Sequence, residues 1–138
     1  MTTRGVFSGQ ESLPRLFKRP EESDIFHMVW HILSAGDYIR SSSWSITSEQ
    51  ERAPTLILMS SFVNDTSVYE DRRGMQHRVP WRNSSAAVLL GGTAGVDYQL
   101  TNRITTNTGR VLRRTGHLSI IDRYPDIDRF ENTARFQS

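Results

Sequence analysis

Two histidines four residues apart, His27 and His31, are the nearest the chain comes to a metal-ligand pair. On a helix they would share a face and meet one ion. On a strand they share a face but stand about 13 Å apart, too far for one ion. Position 28 is Met, so the HExxH pattern of zinc proteases is absent. No metal site is expected. Gly91, Gly92 and Gly95 have the look of a phosphate loop, but the run leads into a strand pattern and lacks the GK[ST] lysine. A sharp β-turn is the better reading. Sixteen serines ensure that some Ser/His/Asp set can be picked out, yet no GxSxG elbow exists. There is no cysteine, which removes disulfides, thiolate zinc sites and thiol nucleophiles at once. Neither catalysis nor a cofactor is expected.

Residues suited to gripping another protein are more plentiful. The cations are sixteen arginines and one lysine, Lys18, in a chain of net charge +2. Arginine makes the bidentate and stacked contacts that interfaces use, although a high-GC genome produces the same bias. The segment Ser67–Ser84 mixes Arg72, Arg73, Arg78, Arg82 and His77 with Tyr69, Met75 and Trp81. Aromatic and arginine anchors on a loop held by a rigid scaffold are the makings of an interface hot spot. A solvated loop is the plainer alternative. Glu70 and Asp71 oppose the arginines, and with the low net charge they argue against nucleic acid.

The elements that must position these residues read as β. Ile25–Leu33 is rich in aromatic and β-branched residues and ends at the turn Ser34-Ala35-Gly36-Asp37. A helix over 21–33, started by Glu21-Glu22-Ser23-Asp24, remains open beside it. Tyr38–Ile46, Thr55–Phe62 and Ala86–Leu90 are further strand runs. Over Val96–Thr105, Tyr98, Leu100 and Ile104 fall on one face and Gln99, Thr101, Arg103 and Thr105 on the other. Thr106-Asn107-Thr108-Gly109 closes a hairpin, and Val111–Ile121 runs back with Leu112, Leu118 and Ile120 on one parity. About seven short strands separated by turns predict an all-β antiparallel sandwich. Within it Trp44 is the candidate central aromatic, and Tyr98 is placed to bury its ring and return its hydroxyl to the glycine-rich turn, as in a tyrosine corner.

Residues 1–20 carry Arg4, Arg15, Lys18 and Arg19 with no sustained periodicity and read as an amino-terminal arm. Residues 21–121 form the sandwich, with an inserted loop at 67–84. Residues 122–138 read as a polar tail, with Phe130 and Phe136 as anchors. No apolar run approaches the roughly 20 residues of a spanning helix, and no apolar region follows Met1-Thr2-Thr3-Arg4-Gly5 as in a secretory signal. No membrane partner is expected.

Three blocks in order carry a resemblance: Phe17-Lys18-Arg19-Pro20, then Gly36-Asp37-Tyr38-Ile39-Arg40-Ser41-Ser42-Ser43-Trp44, then the run from Leu89 through Gly91-Gly92-Thr93-Ala94-Gly95 to Thr106, Gly109 and Arg110. From Leu16 to Arg123 the chain resembles a family of small tailed-bacteriophage structural proteins, the fiber–tail adaptors. The resemblance implies an immunoglobulin-like β-sandwich inside a virion, without catalysis. Its partners would be other virion proteins of the tail, neck or fibers, and a ring of copies is the expected arrangement. The chain departs from the family's pattern at residues 67–84, where members pass directly to the glycine-rich strand. That departure and the long ends keep a second placement open, a decoration or cement protein on the capsid. From another class, a carbohydrate- or host-surface-binding module would want clustered exposed aromatics. Trp30, Trp81 and the tyrosines have no spacing that gathers them. The residues expected at a partner interface are Arg15, Lys18, Arg19, Tyr69, Arg72, Arg73, Arg78, Trp81, Arg82, Phe130 and Phe136.

Overall fold

Alternation of apolar and polar residues decides the longest strands. In the computed structural model, which describes residues 2–8, 13–30, 36–63, 68–70, 75–78 and 83–123, ten strands follow one another and no helix occurs among the described residues. They are β1 (Thr2–Phe7), β2 (Leu16–Lys18), β3 (Ser23–Val29), β4 (Ile39–Thr47), β5 (Leu56–Val63), β6 (Val68–Glu70), β7 (Gln76–Arg78), β8 (Ser84–Gly91), β9 (Asp97–Thr106) and β10 (Val111–Ile120). Tyr98, Leu100 and Ile104 of β9 are fully buried, while Arg103 opposite them is exposed. The glycine at 109 takes a positive φ of 89° and closes the β9–β10 hairpin, a conformation that a Cβ disfavours.

The strands form two four-stranded sheets packed as a sandwich. The first has the order β1-β3-β8-β5 and the second β2-β10-β9-β4; β6 and β7 make a separate two-stranded ribbon. Ladders among β3, β8 and β5, and among β10, β9 and β4, are antiparallel. The outer strands β1 and β2 pair in parallel, with β3 and β10 respectively, so both sheets are mixed. Segment 23–29, open to a helical reading from sequence, is strand. Its register with β8 sets Phe26 and Met28 inward toward Ala87 and Leu89.

Two expectations change. Within its described residues the segment read as an arm is built into the sandwich: β1 and β2 border the two sheets, and Phe7 and Leu16 lie in the common core. Each such side chain stabilises the fold by about 1.5–3 kcal/mol through burial. The parallel pairing that holds them is non-local and leaves no periodic trace in a three- or six-residue strand. Trp30, at 1% exposure, is the largest fully buried side chain, while Trp44 is only half-buried on the edge strand β4. An edge strand covers its side chains from one flank only, which is why Trp44 keeps part of its ring in solvent. The tail, beyond residue 123, lies outside the described residues.

Candidate docking surfaces

The side chains with the most chemical potential are engaged in holding the sandwich shut. Tyr98, buried in β9, donates its hydroxyl to the Glu51 carboxylate and accepts a bond from the Thr93 amide at 3.2 Å. The hydroxyl therefore meets the turn backbone, as expected, but as an acceptor. Glu51 also accepts from the Thr93 hydroxyl at 2.7 Å and the Thr55 amide at 3.1 Å. These bonds, the one from Tyr98 foremost, hold its carboxyl down at about 2. The glycines of the same turn are there for space. A Cβ on Gly91 would stand 2.8 Å from the Thr55 carbonyl oxygen, and one on Gly92 would stand 2.7 Å from the Ile120 side chain. The missing side chains let the two sheets close on each other.

A second lock crosses the core. Asn102 of β9 accepts from Trp30 Nε1 at 2.9 Å and donates through Nδ2 to the Ser43 carbonyl at 3.0 Å and to Ser85 Oγ at 3.3 Å. Ser85 also accepts from Trp44 Nε1 at 3.0 Å and bonds Ser42 Oγ at 2.8 Å. Buried polar groups on both sheets are thus satisfied by one another, as burial demands.

Among the residues expected at an interface, the structure separates several. Lys18 is fully buried: its ammonium donates to the carbonyls of Gly91 at 2.7 Å and Arg19 at 2.8 Å, tying β2 to the end of β8. Desolvation lowers its pKa, against the pull of Asp24 and Glu22. Its role is internal. Arg15 stays half exposed, pairing with Asp97 at 3.2 Å and donating to Ser119 Oγ at 2.8 Å. Arg19 pairs with Glu21 at 2.5 Å on the surface. Tyr69 and Arg78 belong to the β6–β7 ribbon, opposite His77 and Val68 in its register. Arg72, Arg73, Trp81, Arg82, Phe130 and Phe136 lie outside the described residues.

Arg15 and Asp97 border an open polar cleft of about 290 Å³ with Glu49, Gln50, Gln99 and His117. Ser119 Oγ donates to Asp97 Oδ1 at 2.5 Å there, so that hydroxyl is held between a guanidinium and a carboxylate. No group of three or more His, Cys, Asp or Glu side chains suited to a metal occurs among the described residues.

Two surface features escaped the sequence reading. Ile57 (54% exposed) and Met59 (53%) on β5 lie beside Leu90, which is paired with Ile57 in the register. The run Leu56-Ile57-Leu58-Met59 is apolar on both parities, a signal of a strand with something to offer on either face. The second feature is a pair of exposed arginines, Arg103 and Arg113, directly opposite each other on β9 and β10.

Residues 18–119 match the family model described as Podophage GP4 fiber-tail adaptor protein gp77. The match takes in nearly three quarters of the chain and runs from the last residue of β2 almost to the end of β10. No curated protein shows a match to the chain.

Proposed function

The chain belongs to the podophage fiber–tail adaptor family, and from that premise we propose how it joins its neighbours. As a member it is a structural component of the phage tail, not an enzyme, and its partners are fiber and tail proteins. Within that role the sandwich is a rigid spacer. Its faces are fixed by the Tyr98–Glu51 and Trp30–Asn102 bonds, so partners bound to different faces are held at a set distance and angle.

The contact on one side is made by the Ser67–Ser84 segment, including Tyr69, Arg72, Arg73, Arg78, Trp81 and Arg82, and by Phe130 and Phe136 of the tail. Arg15 and Arg19, on the surface of the second sheet's edge, extend it. Lys18 does not take part. The observation that carries this reading is the family match over the sandwich itself, which assigns the scaffold to joining rather than catalysis. Copies arranged head to tail around the tail axis form a closed ring, the usual outcome of a heterologous contact under rotation.

The test is a chain in which residues 67–82, short of Asn83 and of Ser84 at the start of β8, are replaced by Asn-Gly, which leaves a short connection between β5 and β8. These strands pair antiparallel, so a short connection suits them. The expected result is a free protein that melts as cooperatively as the parent but is not incorporated when particles assemble. Normal incorporation would refute the role given to this segment.

A further inference from the structure

The outward face of the second sheet is largely polar, with unpaired cations gathered at one end. Successive rows across β10, β9 and β4 read His117–Gln99–Thr47, Thr115–Thr101–Ser45, Arg113–Arg103–Ser43 and Val111–Thr105–Ser41. Arg110 follows in the hairpin turn, and Arg40 sits at the bulge of β4 between Ile39 and Ser41. All four arginines are exposed, and none forms an ion pair with a described residue.

Among the described residues no exposed carboxylate lies on the strands at this end. β4, β9 and β10 contain one, Asp97, six residues from Arg103 along β9, hence about 20 Å away. It is already held by Arg15 at 3.2 Å and Ser119 at 2.5 Å. Asp37, next nearest in the chain to Arg40, is buried and accepts from the Tyr38 amide at 2.9 Å and the Thr108 hydroxyl at 3.0 Å.

Arg103 and Arg113 face each other across the ladder, where side chains stand about 5 Å apart and like charges destabilise a sheet. No described residue forms an ion pair that would compensate that repulsion. A partner's carboxylates would, because two parallel guanidinium forks on a flat sheet match acidic side chains bidentately. The rest of the face carries hydroxyls, one amide, the Val111 side chain and, at the far end, the single imidazole of His117, with no Phe, Tyr or Trp. That suits hydrogen bonding to another protein and lacks the stacking platform on which sheet faces hold single-stranded nucleic acid.

We propose that this face, centred on Arg103 and Arg113 with Arg40 and Arg110 at its rim, docks an acidic surface of a neighbouring protein. Three strands of nine or ten residues span roughly 34 Å by 14 Å. That is about half the area one partner gives to a standard interface, so this face is an accessory contact. It is separate from the junction at residues 67–84 and stands or falls without it.

The test titrates the full, isotope-labelled chain with a peptide of alternating Glu and Thr at low salt, and in a parallel arm with a short DNA duplex. The peptide is expected to shift amide resonances of Ser41–Ser45, Thr101–Thr105 and Arg110–Thr115. In R113E the peptide should bind on the order of tenfold more weakly, the loss of one charge-assisted contact. The same change turns a repulsive cross-strand pair into an attractive one, so the variant should melt no lower than the parent, which separates docking from folding. R113K, which keeps the charge but loses the fork, should bind between the parent and R113E. Shifts mapping elsewhere, R113E binding unchanged, or a duplex that occupies this face more tightly than the peptide would each overturn the proposal.

Discussion

Trp30 Nε1 donates to Asn102 Oδ1 over 2.9 Å, joining the residue just past β3 in one sheet to the middle of β9 in the other. Both side chains are buried, so neither finds water if the other is removed. This bond and its extension through Ser85 to Trp44 make the two sheets one body. An adaptor needs that rigidity, because a scaffold that shears cannot hold two partners in register.

Replacing Asn102 by Leu strands the Trp30 N–H in the core and takes the side-chain donor from the Ser43 carbonyl. An unsatisfied buried group costs about 1–3 kcal/mol, so the urea midpoint should fall clearly at unchanged slope. W30F in the same chain removes the orphaned donor and should recover part of the loss. If N102L melts with the parent, the tie between the sheets is not the one described.

Acid should unlock the turn at the opposite corner. The Glu51 carboxyl is held at about 2, against an ordinary value of 4.5. A depressed carboxyl stabilises the fold above its unfolded value and loses that contribution as pH falls from about 4.5 to 2. Asp37 acts in the same sense: the bonds from Thr108 and the Tyr38 amide overcome its burial and lower its pKa. Asp24 acts oppositely, since desolvation raises its pKa despite Arg4. The difference between parent and E51Q therefore isolates Glu51. It should shrink steadily across that window in melting curves taken at several pH values, and a difference independent of pH would contradict the assignment.

Phe7 and Gly116 are matched in size. A Cβ on Gly116 would stand 2.6 Å from the Phe7 ring, and overpacking of this kind costs about 1–3 kcal/mol. G116A should destabilise accordingly, and F7L should relieve it in the double variant. F7A alone should cost about 3–5 kcal/mol. Deleting residues 1–20 is then expected to unfold the sandwich rather than free it of an arm, which thermal melting of the truncated chain would show directly.

How much of this was legible in the sequence follows from where the signals sit. β9 and β10 were readable because alternation over ten residues around a Thr-Asn-Thr-Gly turn has one physical solution, and Tyr98 was readable with them. β1 and β2 were not: two short apolar pairs, Val6-Phe7 and Leu16-Phe17, find parallel partners far along the chain. Trp30 is less legible than Trp44 because Met28-Val29-Trp30 is apolar on both parities and reveals no direction. Glu51 lies in a loop 47 residues from the tyrosine it serves, and no spacing links them. The arginine pair was visible only as the polar side of β9; the register with β10 made it a site.

The central claim is that this chain is a structural part of the phage tail that joins other tail proteins. Quantitative mass spectrometry of purified particles, with tails separated from emptied capsids, tests it most directly. The chain should travel with the tail fraction in a fixed ratio to the other tail proteins and far below the major capsid protein. Its absence from purified particles would contradict the account, and recovery with the capsid shell in proportion to the capsid protein would contradict its place on the tail.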